Sequence, residues 1–483
     1  MLSVEEIKQL INEDAANPKK AKAKEGERYY NAEHDILDSR LFYYDVQGEL
    51  QEDKIRSNIK ISHPFFKILI DELSPYMLSF EQHPIRAKET ATGLQEYLDE
   101  YFDEDFWSEI GDLIDGTGIK GFEYLHAYKN EDNRLVFECA DSMGVIEIEG
   151  RFASDKKDHV LYWYVDRIDK EGRKIKRIMD WDSQQVAYYI QTDEGEIEKD
   201  KDEKINPKPH VSYQENEDEA IIYEGHGFIP FWRLDNNKKQ TSSLKPVKAL
   251  IDDYDLHSCS LSNNLKDFDI PLYVIKGFEG DNLDELSQNL RTKKMIGVDE
   301  NGGVDVKTVD IPYQARKEKL DLDEKNIYIF GMGFNPAQVG DGNITNIVIK
   351  SRYTLLDLRA EKFEKRLKKL LKKIVEVVID EINAEHGTGY QYSDVKIERF
   401  EKNTPSNDSE NIANAKTEAE TEQIRINTIL NVAMTIGDEE ALRLICEVLD
   451  LDFDALKTQV EKLKEEQNLI EAKNTLEGVV VDE

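Results

Sequence analysis

Residues 346–385 read NIVIKSRYTLLDLRAEKFEKRLKKLLKKIVEVVIDEINAE, and this stretch decides the fold. Leu356, Ala360, Phe363, Leu367, Leu370, Ile374 and Val377 are spaced alternately by four and three, which is a helical stripe and not a strand pattern. A second stripe, Leu371, Val375, Val378 and Ile382, joins it in the C-terminal half. The spacing therefore predicts one helix, buried on one face at its start and on two at its end. No glycine or proline interrupts it, and Gly387 is placed to end it. Forty residues at about 1.5 Å each span roughly 60 Å, long enough to cross a whole domain.

Between the stripes runs a basic series: Lys362, Lys365, Arg366, Lys368, Lys369, Lys372 and Lys373. Two readings stay open for it. One is a nucleic-acid patch; the other is a solvated face that pairs with acidic neighbours.

Those neighbours are plentiful, because the 483-residue chain carries 100 acidic and 64 basic residues, a formal net charge of −36. Such a balance argues against tight gripping of DNA, which requires phosphate neutralisation, but allows DNA to pass without sticking. The length suits two to four domains. Cys139, Cys259 and Cys446 are scattered and odd in number, so a reducing compartment is expected rather than a disulfide framework. The N-terminal MLSVEEIKQLINEDAAN is charged throughout, and so does not read as a signal peptide. No run of 18 apolar residues is present to span a membrane.

Residues 1–115 read as mostly helical, with Ser3 and Glu6 forming a capping-box start. Leu94, Leu98, Phe102, Phe106, Ile110 and Leu113 predict one amphipathic helix whose acidic outer face, including Asp99, Asp103 and Asp105, is solvated rather than metal-binding. Residues 120–235 change to short aromatic and β-branched runs separated by turn-like NEDN, DKEG and TDEG, which predict an antiparallel meander. EKDKDEKINPKPH reads as a mobile polar loop. A helix is expected over 242–268, with Ser243 as its cap and Pro246 in its first turn. Its small polar middle, HSCSLSNN, is expected to face water or another chain. Residues 269–311 read as a compact α/β insert, and a further helix from Tyr313 to Phe330 returns from it. GMGFNPAQVGDGNITN is a loop leading into the long helix. A strand and then helices follow it.

Signs of catalysis are missing. GxxxxGK[ST], HExxH, GxSxG and paired CxxC are absent, and GMG does not extend to GxGxxG. His34 and His63 read as structural. Two alternatives remain on the residues alone, a nucleic-acid-processing enzyme that uses the basic run and an interaction scaffold built on the long helix.

The order of parts resembles the portal proteins of tailed bacteriophages, in the SPP1-like family. The resemblance is carried by GERYYNAEHDIL, NPKPH, IPFWRLDNN with LKPVKALIDDYD, NLRTKKMIGVDENGGVDV, YTLLDLRAEKFEKR and FEKNTPSNDSE, in that order. It implies an α+β portal fold that assembles as a ring, usually of twelve copies. It implies a wing over 1–241, stem helices over 242–268 and 312–333, and a clip over 269–311. A tunnel loop over 334–346, the long wing helix and strand over 347–404, and a helical crown from 405 complete it. Tunnel-loop residues Asn335, Gln338, Asp341, Asn343 and Thr345 are expected to face DNA, and Asp281, Asp284 and Glu285 to form a docking surface on the clip. The implied partners are other copies of the chain, the terminase large subunit, a head-completion adaptor, the major capsid and scaffolding proteins, and double-stranded DNA in transit. No enzyme activity, cofactor, metal or membrane is implied. The implied location is the capsid portal vertex, after assembly in the bacterial cytoplasm.

A proline at position 367 removes a backbone donor mid-helix and clashes with the preceding turn, at a cost of roughly 3 kcal/mol or more. Leu367→Pro is expected to lower the urea midpoint accordingly, and an unchanged midpoint would mean that this stretch is not one helix.

Overall fold

The computed structural model describes residues 1–54, 56–130, 133–149, 157–192, 195–213, 222–225, 227–268, 272–276, 302–307, 312–335 and 346–402, and parts of 416–457. The chain forms two compact units, Met1–Val339 with Arg352–Thr404 and Gly340–Ser351 with Pro405–Glu483.

In the first unit, α1 (Val4–Ala15) starts at the expected capping box, with Ser3 and Glu6 exchanging hydrogen bonds. Helix α2 (Pro18–Tyr30) follows, then a two-stranded hairpin of β1 (Phe42–Tyr44) and β2 (Leu50–Glu52). Next come α3 (Phe65–Asp71), α4 (Leu73–Met77) and β3 (Ile85–Ala87). The single helix expected over 94–113 is two, α5 (Leu94–Tyr101) and α6 (Glu104–Lys120). Asp103 breaks it: its carboxylate accepts from the Phe106 N–H at 2.9 Å and caps the second helix instead of lying on a solvated face. All six apolar positions read from the sequence are nevertheless buried.

The predicted meander is present. β4 (Phe122–Lys129) and β5 (Leu135–Ala140) pair with a later strand in the order β14-β4-β5, where β14 is Phe231–Asp235. β6 (Val145–Glu149), β7 (Lys157–Ile168), β8 (Lys174–Trp181), β9 (Gln185–Gln191) and β10 (Ile197–Lys199) form an antiparallel sheet in sequence order, β11 (Lys208–Pro209) also pairs with β9, and β12 (Val211–Tyr213) pairs with β13 (Ile222–Glu224). The polar stretch after it is fastened rather than loose. The Asn206 carboxamide accepts from the Tyr188 N–H at 3.0 Å and donates to the Tyr188 carbonyl at 2.7 Å, in place of a strand's backbone.

Helix α7 runs Lys248–Phe268, so it begins beyond Ser243, which is not its cap. The Ser242 hydroxyl instead accepts from the Leu244 N–H at 3.1 Å in the turn that leads in. The helix Tyr313–Gly331 lies against α7. Strands Leu272–Lys276 and Gly303–Lys307 pair antiparallel between these helices; the hairpin and short helix expected elsewhere in the insert fall largely outside the described residues.

The long helix spans Asn346–His386 and stops at Gly387, whose φ of +62° suits glycine. Leu356, Ala360, Phe363, Leu367, Leu370 and Ile374 are buried, as are Leu371, Val375, Val378 and Ile382. They share one core with α4, α5, α6, β4 and β5. After it, strand Val395–Ile397 pairs with β3. In the second unit, residues 423–433 and Asp438–Val448 are helical.

The small polar stretch of α7 has a role that its composition concealed. Asp255, Cys259, Asn263 and Asp267 lie four residues apart on one side of the helix. The extended segment 57–63 lies along them. The Ser57 N–H donates to Asp267 at 3.2 Å, the Ile59 N–H to Asn263 at 2.6 Å, the Ile61 N–H to Cys259 Sγ at 3.2 Å and the His63 N–H to Asp255 at 3.0 Å. Four helical residues rise about 6.0 Å and two extended residues about 6.6 Å, so the repeats keep in step. On this side, through Cys259 and Asn263, the stretch faces its own chain. Asn263→Ala leaves the Ile59 N–H without its acceptor, and is expected to destabilise the unit by about 1–3 kcal/mol in urea unfolding.

Candidate functional site

The loop before the long helix leaves the core at a junction of backbone and buried charge. The helix Tyr313–Gly331 ends with Met332 in the left-handed region, and the Gly333 N–H returns to the Tyr328 carbonyl at 2.9 Å. Glycine at 331 and 333 lets the backbone lie close against α3: a Cβ on either would push on the tip of the Leu69 side chain, and at 333 also on the Glu72 carboxyl. The GMG triplet is thus a close-packing device.

One residue later, the Phe334 N–H donates to Glu72 Oε2 at 3.1 Å. Arg359 of the long helix lies 3.9 Å from Glu72 Oε1 and donates to the Leu69 carbonyl at 2.6 Å. The Phe334 ring stacks on Tyr353 at 4.5 Å, and Tyr353 stacks on Tyr76 at 5.8 Å. Tyr76 donates to Asp357 at 2.6 Å. Helices α3 and α4, the loop root and the long helix therefore meet at one point.

Burial pushes the Glu72 carboxyl up to about 7, against the opposing pull of the Phe334 N–H and Arg359. Burial likewise raises Asp115 to about 6, with Ser74 and Arg359 opposing. Neither group was apparent in the sequence, since an acid in an apolar run carries no mark of what will cover it.

The tunnel-loop candidate Asn335 is half-buried, next to Phe334. Gln338, Asp341, Asn343 and Thr345, and the clip candidates Asp281, Asp284 and Glu285, lie outside the described residues.

His34 and His63 converge on one carboxylate. His34 Nδ1 lies 2.6 Å from Asp255 Oδ2, and His63 Nδ1 lies 2.7 Å from Asp255 Oδ1. Ser258 Oγ is 3.5 Å from His63 Nε2, so the trio has the outline of a nucleophile–base–acid set. Its geometry serves structure instead. The Ser–His distance is too long for an activating hydrogen bond, and Asp255 is already shared between two histidines and the His63 N–H. Among the described residues, no group of acidic, histidine or cysteine side chains is arranged to hold a metal ion. No described helix is long and apolar enough to cross a membrane.

The basic run is only partly neutralised. Arg366 donates to the Asp235 carbonyl at 2.9 Å, and Lys368 pairs with Glu364 at 2.8 Å. Lys362, Lys365, Lys369, Lys372 and Lys373 are exposed and make no ion pair among the described residues. Beside them lies a groove of about 1150 Å³ between β14 and the long helix.

A chain organised around a core-spanning helix, its buried charges tied into packing and its histidines consumed by structural bonds, is a structural assembly protein. It belongs to the family described as phage portal protein, SPP1 Gp6-like, whose pattern it matches over residues 8–472. It is 28% identical over 370 residues to the portal protein of Bacillus phage SPP1, covering 75% of this chain and 69% of that one. It is 25% identical over 400 residues to the portal protein of Clostridium phage phiCD119, covering 78% and 82%. The chain is thus a portal protein of a tailed phage, a non-enzymatic component of the virion.

A carboxyl whose pKa is raised on folding favours the folded state below its ordinary value, and that advantage is lost as pH rises through the raised value. For Glu72 the window runs from about 4.5 to about 7. Glu72→Gln keeps an acceptor for Phe334 and has no charge to bury. Its stability relative to the unaltered chain is expected to improve by up to about 3 kcal/mol between pH 4.5 and 8 in urea unfolding. A difference that does not vary with pH would refute the assignment.

Proposed function

We propose that twelve copies of this chain close into a ring at one capsid vertex, and that double-stranded DNA is conducted through its axis during packaging and ejection. In this reading residues 1–241 and 347–404 form the wing. Residues 242–268 and 312–333 are the stem and 269–311 the clip. Residues 334–346 are the tunnel loop, and the chain from 405 is the crown. The observation that carries it is the packed pair of helices, Lys248–Phe268 and Tyr313–Gly331, which bracket an insert at one end and lead into the loop at the other.

The clip residues Asp281, Asp284 and Glu285 then meet the terminase large subunit and later the head-completion adaptor, while the capsid and scaffolding proteins surround the wing. Assembly takes place in the host cytoplasm. The strong negative charge suits a conduit. Duplex DNA carries one charge per about 1.7 Å, and an acidic wall repels it toward the axis only within about 8 Å at physiological salt. Asn335, Gln338, Asn343 and Thr345 offer the phosphates single neutral hydrogen bonds of about 1 kcal/mol net, strong enough to centre the duplex and weak enough to release it. Asp341 adds repulsion.

Negative-stain images of the purified chain should show rings with a central hole; elongated single particles would sink the proposal. In those rings, replacing both Gln338 and Asn343 by lysine should leave procapsids assembled and slow or stop DNA filling. Filling at the normal rate would remove the loop from the DNA path.

A further inference from the structure

Two surfaces of the first unit remain uncovered, and they complement each other. The first is the hairpin of β1 and β2. Its register pairs Phe42 with Glu52 and Tyr44 with Leu50, so Phe42, Tyr44 and Leu50 share one face. That face is bare: the three are 49%, 74% and 56% exposed. A lone two-stranded hairpin is marginally stable in water, so an apolar face of this size calls for a cover. The hairpin is nonetheless built for presentation. Asp45 Oδ1 accepts from the N–H groups of Gln47 and Glu49 at 2.9 and 2.8 Å, which shapes the turn, and Gly48 takes φ +82°. Its base continues into the segment clamped along α7. Charge is graded along it: Asp45 and Glu49 make the tip acidic, whereas at the base Arg40 and Lys54 are balanced by Glu52 and Asp53.

The second surface is the groove between β14 and the long helix. Phe228, Ile229, Trp232, Leu370 and Val377 supply apolar lining. Its charge is graded along the helix too, from Lys369 and Lys373 to Glu376 and Asp380. From 369 to 380 the helix rises about 16 Å, close to the length of a short hairpin.

We infer that the hairpin of one copy seats in this groove of a second copy of the chain, its acidic tip toward Lys369 and Lys373. The apolar face then meets the groove's apolar lining, and Lys369 and Lys373, without an ion pair among the described residues, gain partners in the next copy. Two different surfaces on one chain that join make a head-to-tail contact, the kind from which a ring is built when the rotation between copies closes. This inference rests on the ring reading, and adds which surfaces join.

The test is a pair of exposed cysteines, Val46→Cys with Lys369→Cys, in the full-length chain. Mild oxidation should give a ladder of covalent oligomers on a non-reducing gel, and either single variant should give none. Separately, Lys369→Glu with Lys373→Glu should raise the concentration needed for oligomer formation roughly tenfold, and adding Gln47→Lys with Glu49→Lys at the hairpin tip should restore it. Rings that form without the ladder and ignore charge reversal would overturn the docking and leave the ring reading standing. An unaltered chain that stays monomeric at every concentration would overturn both.

Discussion

Burial of one face of the long helix is the constraint on which the first unit depends. Isolated helices gain little from propensity, and a helix of 41 residues draws its stability from what covers its apolar stripe. Here the cover is contributed by α4, α5, α6 and the β4–β5 strands, which come from residues far earlier in the chain. β4 and β5 bury their other face against the β6–β9 sheet, so they link that sheet to the helix. The long helix is therefore the common wall against which separate pieces are held in register.

Polar bonding then does what the apolar core leaves undone. Extended segment 57–63 pairs with no β-strand, yet its alternate N–H groups are satisfied by a row of side chains on α7. Asn206 does the same for Tyr188 at the edge of a sheet. Glu72 does it for Phe334 at the root of the loop. In each case one side chain replaces a strand or a turn. This lets irregular backbone be held firmly where the fold changes direction.

Charge is distributed by the same logic. The chain is strongly acidic overall, yet its long helix exposes a row of lysines that make no ion pair among the described residues. A surplus of acid elsewhere and a basic ridge here suit a protein that is completed by its neighbours. A portal protein works as an assembly, so surfaces that look unsatisfied in one copy are where its partners are to be sought.

The sequence by itself determined the long helix, the meander and the absence of catalytic motifs. Each rests on a periodic or local signal: spacings of three and four, alternating runs between turns, fixed motif spacings. It also carried enough ordered resemblance to indicate the family. What it misread, it misread for physical reasons. Asp103 looked like one more exposed acid until its carboxylate was seen to cap a helix. In HSCSLSNN the role of Cys259 and Asn263 was hidden, because a ladder of side chain to backbone bonds depends on which distant segment lies alongside. Glu72, Arg359 and Asp115 were invisible because their states are set by burial, and burial belongs to the whole fold rather than to any window of residues. Only tertiary structure brings positions 72, 334 and 359 to one point, since no local rule couples residues so far apart in the chain.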